Sequence, residues 1–483
     1  MERIRPGRPL PGLGGTRPLR PGPALLRRCS GPVGRVFTRP SPGPRDRFPL
    51  SYPQTLWCSG EQAGSFGPRF VVAKAVRVTG TLDGAALQAA LDDVVARHEQ
   101  LRTVLVRDAD PPYLQVHPPS RVPLVVRELP TEPGPDRDRL AEQLLTEAES
   151  SSLDVHELPL LRAVLARFDD RDSVLSLVTH HTACDGWSVQ LILRDLAACY
   201  AARTTGQPPE LPPVRQYREY AVWQQEFFTG PRAVEAYAYW HKQLRGAHIF
   251  TLPTDRPIPP THSIPYQAYD FRLDADLVSA AAGLAESIRC STFMVMLTAF
   301  NVLAHRIRGT TDLTINTVIH GRGQRQFENT VGPFLNFLAL RTCIDSGESF
   351  RDIVRRTRST CLGAYSHEVP IQHVEQQIPE LMQPLHDPRN CDFIFGFSQS
   401  PFDGDSIRLS EQSAEVYKTE TVSAEIPGGA AWTMAVLRTG ELIGTVQFNP
   451  EEFDRQTVAD WVSEYCRLLA TAVHEPDREW KRL

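Results

Sequence analysis

The chain has 483 residues, long enough for about three domains or two large lobes at roughly 150 residues per domain. Its 41% hydrophobic and 23% charged residues exclude a wholly disordered, collagen-like or coiled-coil protein. A formal charge of −5 gives no global reason to expect nucleic acid, and the longest mostly apolar stretch, near residues 292–304, is too short to span a bilayer. No nucleic-acid and no membrane partner is therefore expected.

Residues 1–47 hold 11 Arg, 10 Pro and two acidic residues, Glu2 and Asp46, so the rest of the chain carries about −14 (−5 minus +9). Such a segment cannot bury enough apolar surface to offset its ordering entropy, and it is predicted to be a disordered Arg/Pro-rich tail. Its Pro and Gly content argues against the amphipathic helix of a transit peptide. A plain tail or an over-extended start is expected, with a basic arm docking on an acidic partner as the alternative.

From residue 48 the pattern is globular. A strand is predicted over 71–78 and an amphipathic helix over 82–98. Another strand over 173–179 and a helix over 187–202 follow, then a Pro-rich break at 206–214. That break predicts an N-terminal lobe over 48–215 and a C-terminal lobe over 216–483. Within the second lobe, helices are predicted over 217–228, 233–244, 275–286, 293–307, 349–364 and 454–472. Strands are predicted over 313–319, 389–396 and 442–448. The strand-and-helix order occurs twice, which predicts an α+β protein of two similar lobes.

Nine cysteines are scattered singly, with no CxxC pair. This argues against a zinc site or a disulfide framework and for a reducing compartment. No apolar segment of a secretory signal is visible near the N-terminus, so a bacterial cytoplasmic location is expected.

The chemistry concentrates in Thr179–Ser188, THHTACDGWS. Adjacent histidines on a strand point to opposite faces, so His180 and His181 cannot easily share a metal ion and should play different parts. Asp185 is placed to cap the next helix and to pair with an arginine. Gly186 lets the backbone turn tightly and lets a substrate approach its N–H. A neutral imidazole beside a helix N-terminus suits a reaction that passes through an oxyanion. Cys184 reads as a buried apolar filler and Trp187 as a packing residue.

With this motif the sequence resembles the condensation domains of nonribosomal peptide synthetases, whose signature is HHxxxDG, within the chloramphenicol-acetyltransferase-like superfamily. Supporting motifs run in the family's order. Leu50-Ser51-Tyr52-Pro53-Gln54 with Trp57 resembles the opening motif, one residue short and without its Arg. Arg97-His98-Glu99-Gln100-Leu101-Arg102-Thr103 is similar to RHExLRT. Tyr217–Trp223, Tyr239-Trp240 and Leu252-Pro253-Thr254-Asp255-Arg256-Pro257 resemble the inter-lobe region. Gly321-Arg322 and Val331-Gly332-Pro333-Phe334-Leu335-Asn336 resemble GR…(I/V)GxFxN. His367-Glu368-Val369-Pro370 is similar to HQDxP, one residue short, and Arg389-Asn390 stands at the family's RN pair. Val318-Ile319-His320-Gly321-Arg322 lacks the acidic residue and first Gly of the epimerization-type EGHGR.

The resemblance implies two chloramphenicol-acetyltransferase-like lobes in a V, with a tunnel between them. It implies acyl or peptidyl carrier proteins as partners, presenting phosphopantetheine arms, and no bound cofactor or metal. A monomer is the family-like expectation. His181 is implied as the catalytic residue, accepting the nucleophile's proton or stabilising the tetrahedral intermediate. Asp185 is implied to be structural, paired first with Arg102 or second with Arg322. Gly186 is implied to line the tunnel near the thioester carbonyl, with His180, Trp187 and Asn336 in support.

No adenylation or carrier-protein motif follows before Leu483, so a free-standing enzyme joining an acyl group to a small-molecule amine, as an amide, is expected. An ester-forming enzyme using an alcohol acceptor and a catalytically inactive recruitment module are the alternatives.

Overall fold

The computed structural model describes residues 47–56, 70–259, 266–398, 408–416, 429–437 and 439–482. The expected tail lies outside this set except for Arg47, which together with Phe48 forms a short strand paired with Leu114 and Gln115. Trp57 of the opening motif also lies outside it.

Two large sheets organise the fold. The first has five strands in the order Gln412–Glu415, Val71–Thr79, Asp172–His180, Leu161–Asp169 and Leu124–Glu128. Its neighbours run antiparallel except for the last pair. The Asp172–His180 strand is buried along its whole length, flanked by a partner on each edge. This suits its run of Val and Leu and lets it end, at His180, inside the protein. Helices Gly84–Arg97 and Gly186–Thr205 share an apolar core with this sheet, built on Leu87, Leu91, Val94, Leu175, Leu177, Ile192 and Leu196. Asp83 caps the first helix by accepting from the backbone N–H groups of Ala85 and Ala86.

The second sheet has six strands in the order Asn336–Cys343, Asp312–Ile319, Phe393–Ser398, Ala430–Val436, Leu442–Phe448 and Gln267–Leu273. Helices Ala275–Ile288, Thr292–Arg308, Phe350–Ser366 and Arg455–His474 cover it. The Thr292–Arg308 helix is buried from Met294 to Ala304 and stacks Phe300 on Phe393, with ring centroids 4.7 Å apart. A helix apolar on every side belongs in a core of this size. Among the described residues no single helix is long and apolar enough to cross a membrane.

Most predicted elements lie within two or three residues of their expected ends. The segment over 389–396 differs. It splits into Asn390–Cys391, paired with Leu252–Pro253, and Phe393–Ser398 in the large sheet. Asp392 divides them by turning its carboxylate back onto the Phe393 N–H at 2.8 Å. The Pro135–Glu149 helix and the strands Leu161–Asp169, Asn336–Cys343 and Ala430–Val436 have no counterpart among the predicted elements.

The sheets exchange chain as well. Gln412–Glu415, from the far half of the sequence, forms the edge strand beside Val71–Thr79, and Leu409 and Val331 are buried in the first sheet's core. After the 206–214 break, the Tyr217–Thr229 helix bonds to both halves. Its Tyr217 hydroxyl lies 2.7 Å from Ser51 Oγ and donates to Pro333 O at 2.6 Å.

Candidate active site

The site begins where the buried strand ends. Val71 faces His180 in the ladder, and the ladder runs one step further, with His181 N donating to Phe70 O at 2.9 Å. The two imidazoles diverge, as side chains alternate on a strand. His180 is fully buried, and its Nδ1 accepts from Thr182 N at 3.2 Å and lies 2.9 Å from Thr182 Oγ1. An accepting Nδ1 puts the proton of the neutral ring on Nε2. His181 is half-buried, with its Nδ1 out of contact with solvent, and its ring stacks on Phe70, with centroids 4.4 Å apart and 28° between planes. Burial pushes its pKa down to about 4, helped by His180 and opposed by Asp185 and by a hydrogen bond with the Cys184 backbone. His181 is thus a neutral imidazole at physiological pH. Cys184 is fully buried, and burial pushes its thiol well above the usual range, so it is no thiolate nucleophile.

The turn after His181 is tied down by Asp185. Its Oδ1 accepts from Ser188 N at 2.7 Å, capping the Gly186–Thr205 helix. The same carboxylate receives Arg322 Nη2 at 3.2 and 3.4 Å and Phe334 N at 3.1 Å. Arg322 Nη2 also donates to Ser188 Oγ at 2.7 Å, and Ser188 Oγ donates to Gly332 O and accepts from Gly332 N. Arg322 Nη1 donates to the carbonyls of Phe327 and Thr330, and the guanidinium lies 3.9 Å over the Phe334 ring. One buried carboxylate therefore fastens the turn after His181 to the GR and VGPFLN segments.

Of the two arginines expected for Asp185, the structure pairs it with Arg322 and not with Arg102. Arg102 ends the short Glu99–Arg102 helical turn, and its guanidinium turns back onto the carbonyls of Val95, Ala96 and His117. Its nearest carboxylate is Glu99, at 4.0 Å. The preceding residues of that motif hold the far side of the Gly186–Thr205 helix instead. Arg97 Nε and His98 Nε2 each lie 2.8 Å from the fully buried Asp195 carboxylate.

Gly186 is exposed, and a Cβ built on it would meet nothing within 4 Å. Open space thus begins at the first residue of the helix, five positions after His181. Trp187, next along, lines a cavity of about 650 Å³ together with Phe293, His320, Tyr365, Glu368 and Phe397. Its ring lies 5.6 Å from that of His320. Asn336 stands apart from the histidines. It joins the HEVP segment to the sheet, donating to Glu368 Oε1 at 3.2 Å and Val369 O at 2.9 Å while its Oδ1 accepts from the Phe337 and Ile371 N–H groups. Phe70 is a site residue that the sequence alone does not single out, and Ser188, Phe334 and Glu368 are visible there only as members of their motifs. Among the described residues no three His, Cys, Asp or Glu side chains are grouped to hold a metal ion.

Comparison with known proteins gives one family. The family described as "Condensation domain" matches residues 45–483. Chondramide synthase cmdD of Chondromyces crocatus is 30% identical over 94% of the chain, but the chain spans only 11% of that protein's length. The crystal structure of SgcC5 from Streptomyces globisporus, in complex with (R)-(-)-1-(2-naphthyl)-1,2-ethanediol and sucrose, is 37% identical with a TM-score of 0.82. It matches 89% of this chain and 100% of that one. The X-domain from teicoplanin biosynthesis is 27% identical, with a TM-score of 0.73 over 93% of this chain and 98% of that one.

Proposed function

The chain belongs to the condensation-domain family, acyltransferase-type enzymes that act on substrates carried by phosphopantetheine, and from that premise we propose that His181 promotes transfer of an acyl group from a carrier-bound thioester to an amine. The observation that carries this reading is His181 itself. It is a half-buried residue with a neutral imidazole at the end of a fully buried strand, five residues before an exposed glycine that opens a helix.

The neutral amine nitrogen attacks the thioester carbonyl carbon. The C–N bond forms and the carbonyl oxygen takes the negative charge near the positive end of the Gly186–Thr205 helix. His181 accepts the proton released by the nitrogen and delivers it to the departing sulfur as the C–S bond breaks, so the products are an amide and a free thiol. An imidazole with pKa near 4 is a weak base. It suits the removal of an acidic proton from an amine already bonded to carbon better than the ionisation of an alcohol. Asp185 keeps the turn in place through Arg322 and Ser188 and touches no reacting atom.

An ester product is the second reading. The observation that favours it is the aryl diol bound in SgcC5, which shows a hydroxyl compound held by a relative. Both readings are tested by mass spectrometry of the phosphopantetheine arm on an acyl-loaded carrier protein, supplied separately with amine or hydroxyl acceptors. Wild type is expected to unload the carrier into an amide, and His181→Ala to be slower by about 10²- to 10⁴-fold. An ester alone decides for the second reading. Equal unloading by both proteins removes His181 from the chemistry. Carrier binding without any unloading decides for a recruitment module; a related X-domain from teicoplanin biosynthesis is known in complex with OxyB.

A further inference from the structure

The cavity beside Trp187 is lined by Arg322 and by a carboxylate, Glu368, to which no basic side chain among the described residues is bonded. Glu368 sits over the Gly321-Arg322-Gly323 turn, its two oxygens each 3.8 Å from where a Cβ on Gly321 or Gly323 would stand. Among the described residues its hydrogen-bond donor is Asn336 Nδ2, at 3.2 Å, and no basic side chain pairs with it. The neighbouring cation is spent elsewhere, since both terminal nitrogens of Arg322 are engaged by Asp185, Ser188, Phe327 and Thr330. His320 supplies none either, because burial lowers its pKa and keeps the ring neutral. Glu368 is half-buried; a carboxylate accepts up to about four hydrogen bonds, and drawing one part-way out of water without a counter-charge is costly. Burial accordingly raises the Glu368 pKa.

The walls around it are aromatic. Trp187, Phe293, Tyr365 and Phe397 line the same space of about 650 Å³, a volume suited to a small organic group. Trp187 Nε1 is buried without a hydrogen-bond partner. Aromatic faces around a lone carboxylate make a site for an organic cation. We propose that this cavity is a specificity pocket for an arylalkyl ammonium group, whose ring packs on the aromatic walls and whose N–H groups meet Glu368. This rests on the acyl-transfer reading and deepens it. A protonated amine held by a carboxylate has no free lone pair, so it is a second amine of the substrate and not the nucleophile. It is carried either by the acyl group or by the acceptor.

The test separates binding from turnover. Calorimetry with 2-(2-naphthyl)ethylamine and 2-(2-naphthyl)ethanol is run on the full chain and on Glu368→Gln, a variant of the same shape that can still accept from Asn336. Wild type should bind the amine about 10- to 100-fold more tightly than the alcohol, the range of a charge-assisted hydrogen bond. Glu368→Gln should lose that preference and keep its affinity for the alcohol, which also shows that the pocket is intact. No binding of either probe, no preference in wild type, or an equal loss for both probes in the variant would overturn the proposal. In the carrier assay, matched aryl acyl groups with and without an amine form one arm, and matched acceptors the other. The arm in which wild type favours the aminated partner identifies its source, and turnover without preference in both arms overturns the role in substrate choice. If nothing turns over while the binding preference stands, the acyl-transfer reading fails and this one survives.

Discussion

Arg322 and Asp185 lie 137 residues apart in sequence, and Arg322 Nη2 reaches both carboxylate oxygens, at 3.2 and 3.4 Å, with each side chain less than a tenth exposed. Breaking a buried pair by removing one partner leaves an uncompensated charge and costs about 3–5 kcal/mol. Asp185→Ala also removes the cap on the Gly186–Thr205 helix and the acceptor for Phe334 N. Urea unfolding should therefore show Asp185→Ala and Arg322→Ala each strongly destabilised, with a coupling of about 0.5–3 kcal/mol in the double mutant. Arg102→Ala, whose guanidinium serves carbonyls and Glu99, should show no coupling to Asp185→Ala. Additive losses for Asp185 and Arg322 would contradict the pairing.

On the proposed role of His181, its depressed pKa sets the pH dependence of the reaction. Its ring stays neutral down to about pH 4. The acid limb of kcat/KM due to this residue should lie near that value and not near the ordinary histidine value of about 6.5. With an amine acceptor a second limb should appear on the alkaline side, where kcat/KM rises until the acceptor is deprotonated. A hydroxyl acceptor should lack that limb. A histidine limb near 6.5, removed by His181→Ala, would contradict the desolvated imidazole.

Three groups should lower stability as pH falls. His181 and His98 are both lowered by burial, the latter opposed by Asp195. A depressed histidine is neutral in the fold and protonates first in the unfolded chain, so its contribution is complete above about pH 6.5 and falls as pH drops towards the folded value. Burial would raise Asp195, but the hydrogen bond from His98, the Arg194 charge and the hydrogen bond from Arg97 hold it at about 2. Its contribution is present above the usual carboxylate pKa of about 3.9 and is lost as pH falls towards 2. In chemical unfolding, the two histidine contributions should thus decline below about pH 6.5 and that of Asp195 below about pH 3.9, against an opposite contribution from Glu375 and Asp392, which burial raises to about 7 and about 6. Replacing His98 with Gln should remove its share of the decline below about pH 6.5 and leave that of His181.

The local part of the site is legible in the residues, and the long-range part is not. HH followed by DG announces a strand end, a tight turn and a capped helix because each step is fixed by neighbours within about five residues. The partner of Asp185 is decided by tertiary packing across the sheets. Arg102 is nearer in sequence and sits in a matching motif, yet the short Glu99–Arg102 turn directs it to the carbonyls of Val95 and His117. Phe70 is equally hidden, since its stacking on His181 follows from the register of the Val71–Thr79 strand against Asp172–His180. The Gln412–Glu415 strand has no local signal that it will join the first sheet. In contrast, the helices over 217–229 and 455–474 are read within a few residues because their apolar spacing alone defines them.

Two glycines in the site make opposite predictions. A Cβ on Gly332 would lie 1.9 Å from the ring of Tyr217, which is buried and held through its hydroxyl by Ser51 and Pro333. The ring cannot step aside, so Gly332→Ala should destabilise the fold by about 1–3 kcal/mol, the cost of overpacking a core. A Cβ on Gly186 meets nothing, and the residue takes up an ordinary first-turn helical position. Gly186→Leu should leave the unfolding midpoint within about 0.5 kcal/mol of wild type, as for an exposed substitution. If the acyl group passes the start of this helix to reach His181, as proposed, the new side chain would stand in its path, and kcat/KM should fall on the order of 10²-fold, the cost of misplacing a reactant by about 1 Å. Thermal unfolding and carrier-unloading rates on the two variants check both halves. Full activity in a folded Gly186→Leu protein would mean that the acyl group reaches His181 by a route that does not pass the start of this helix.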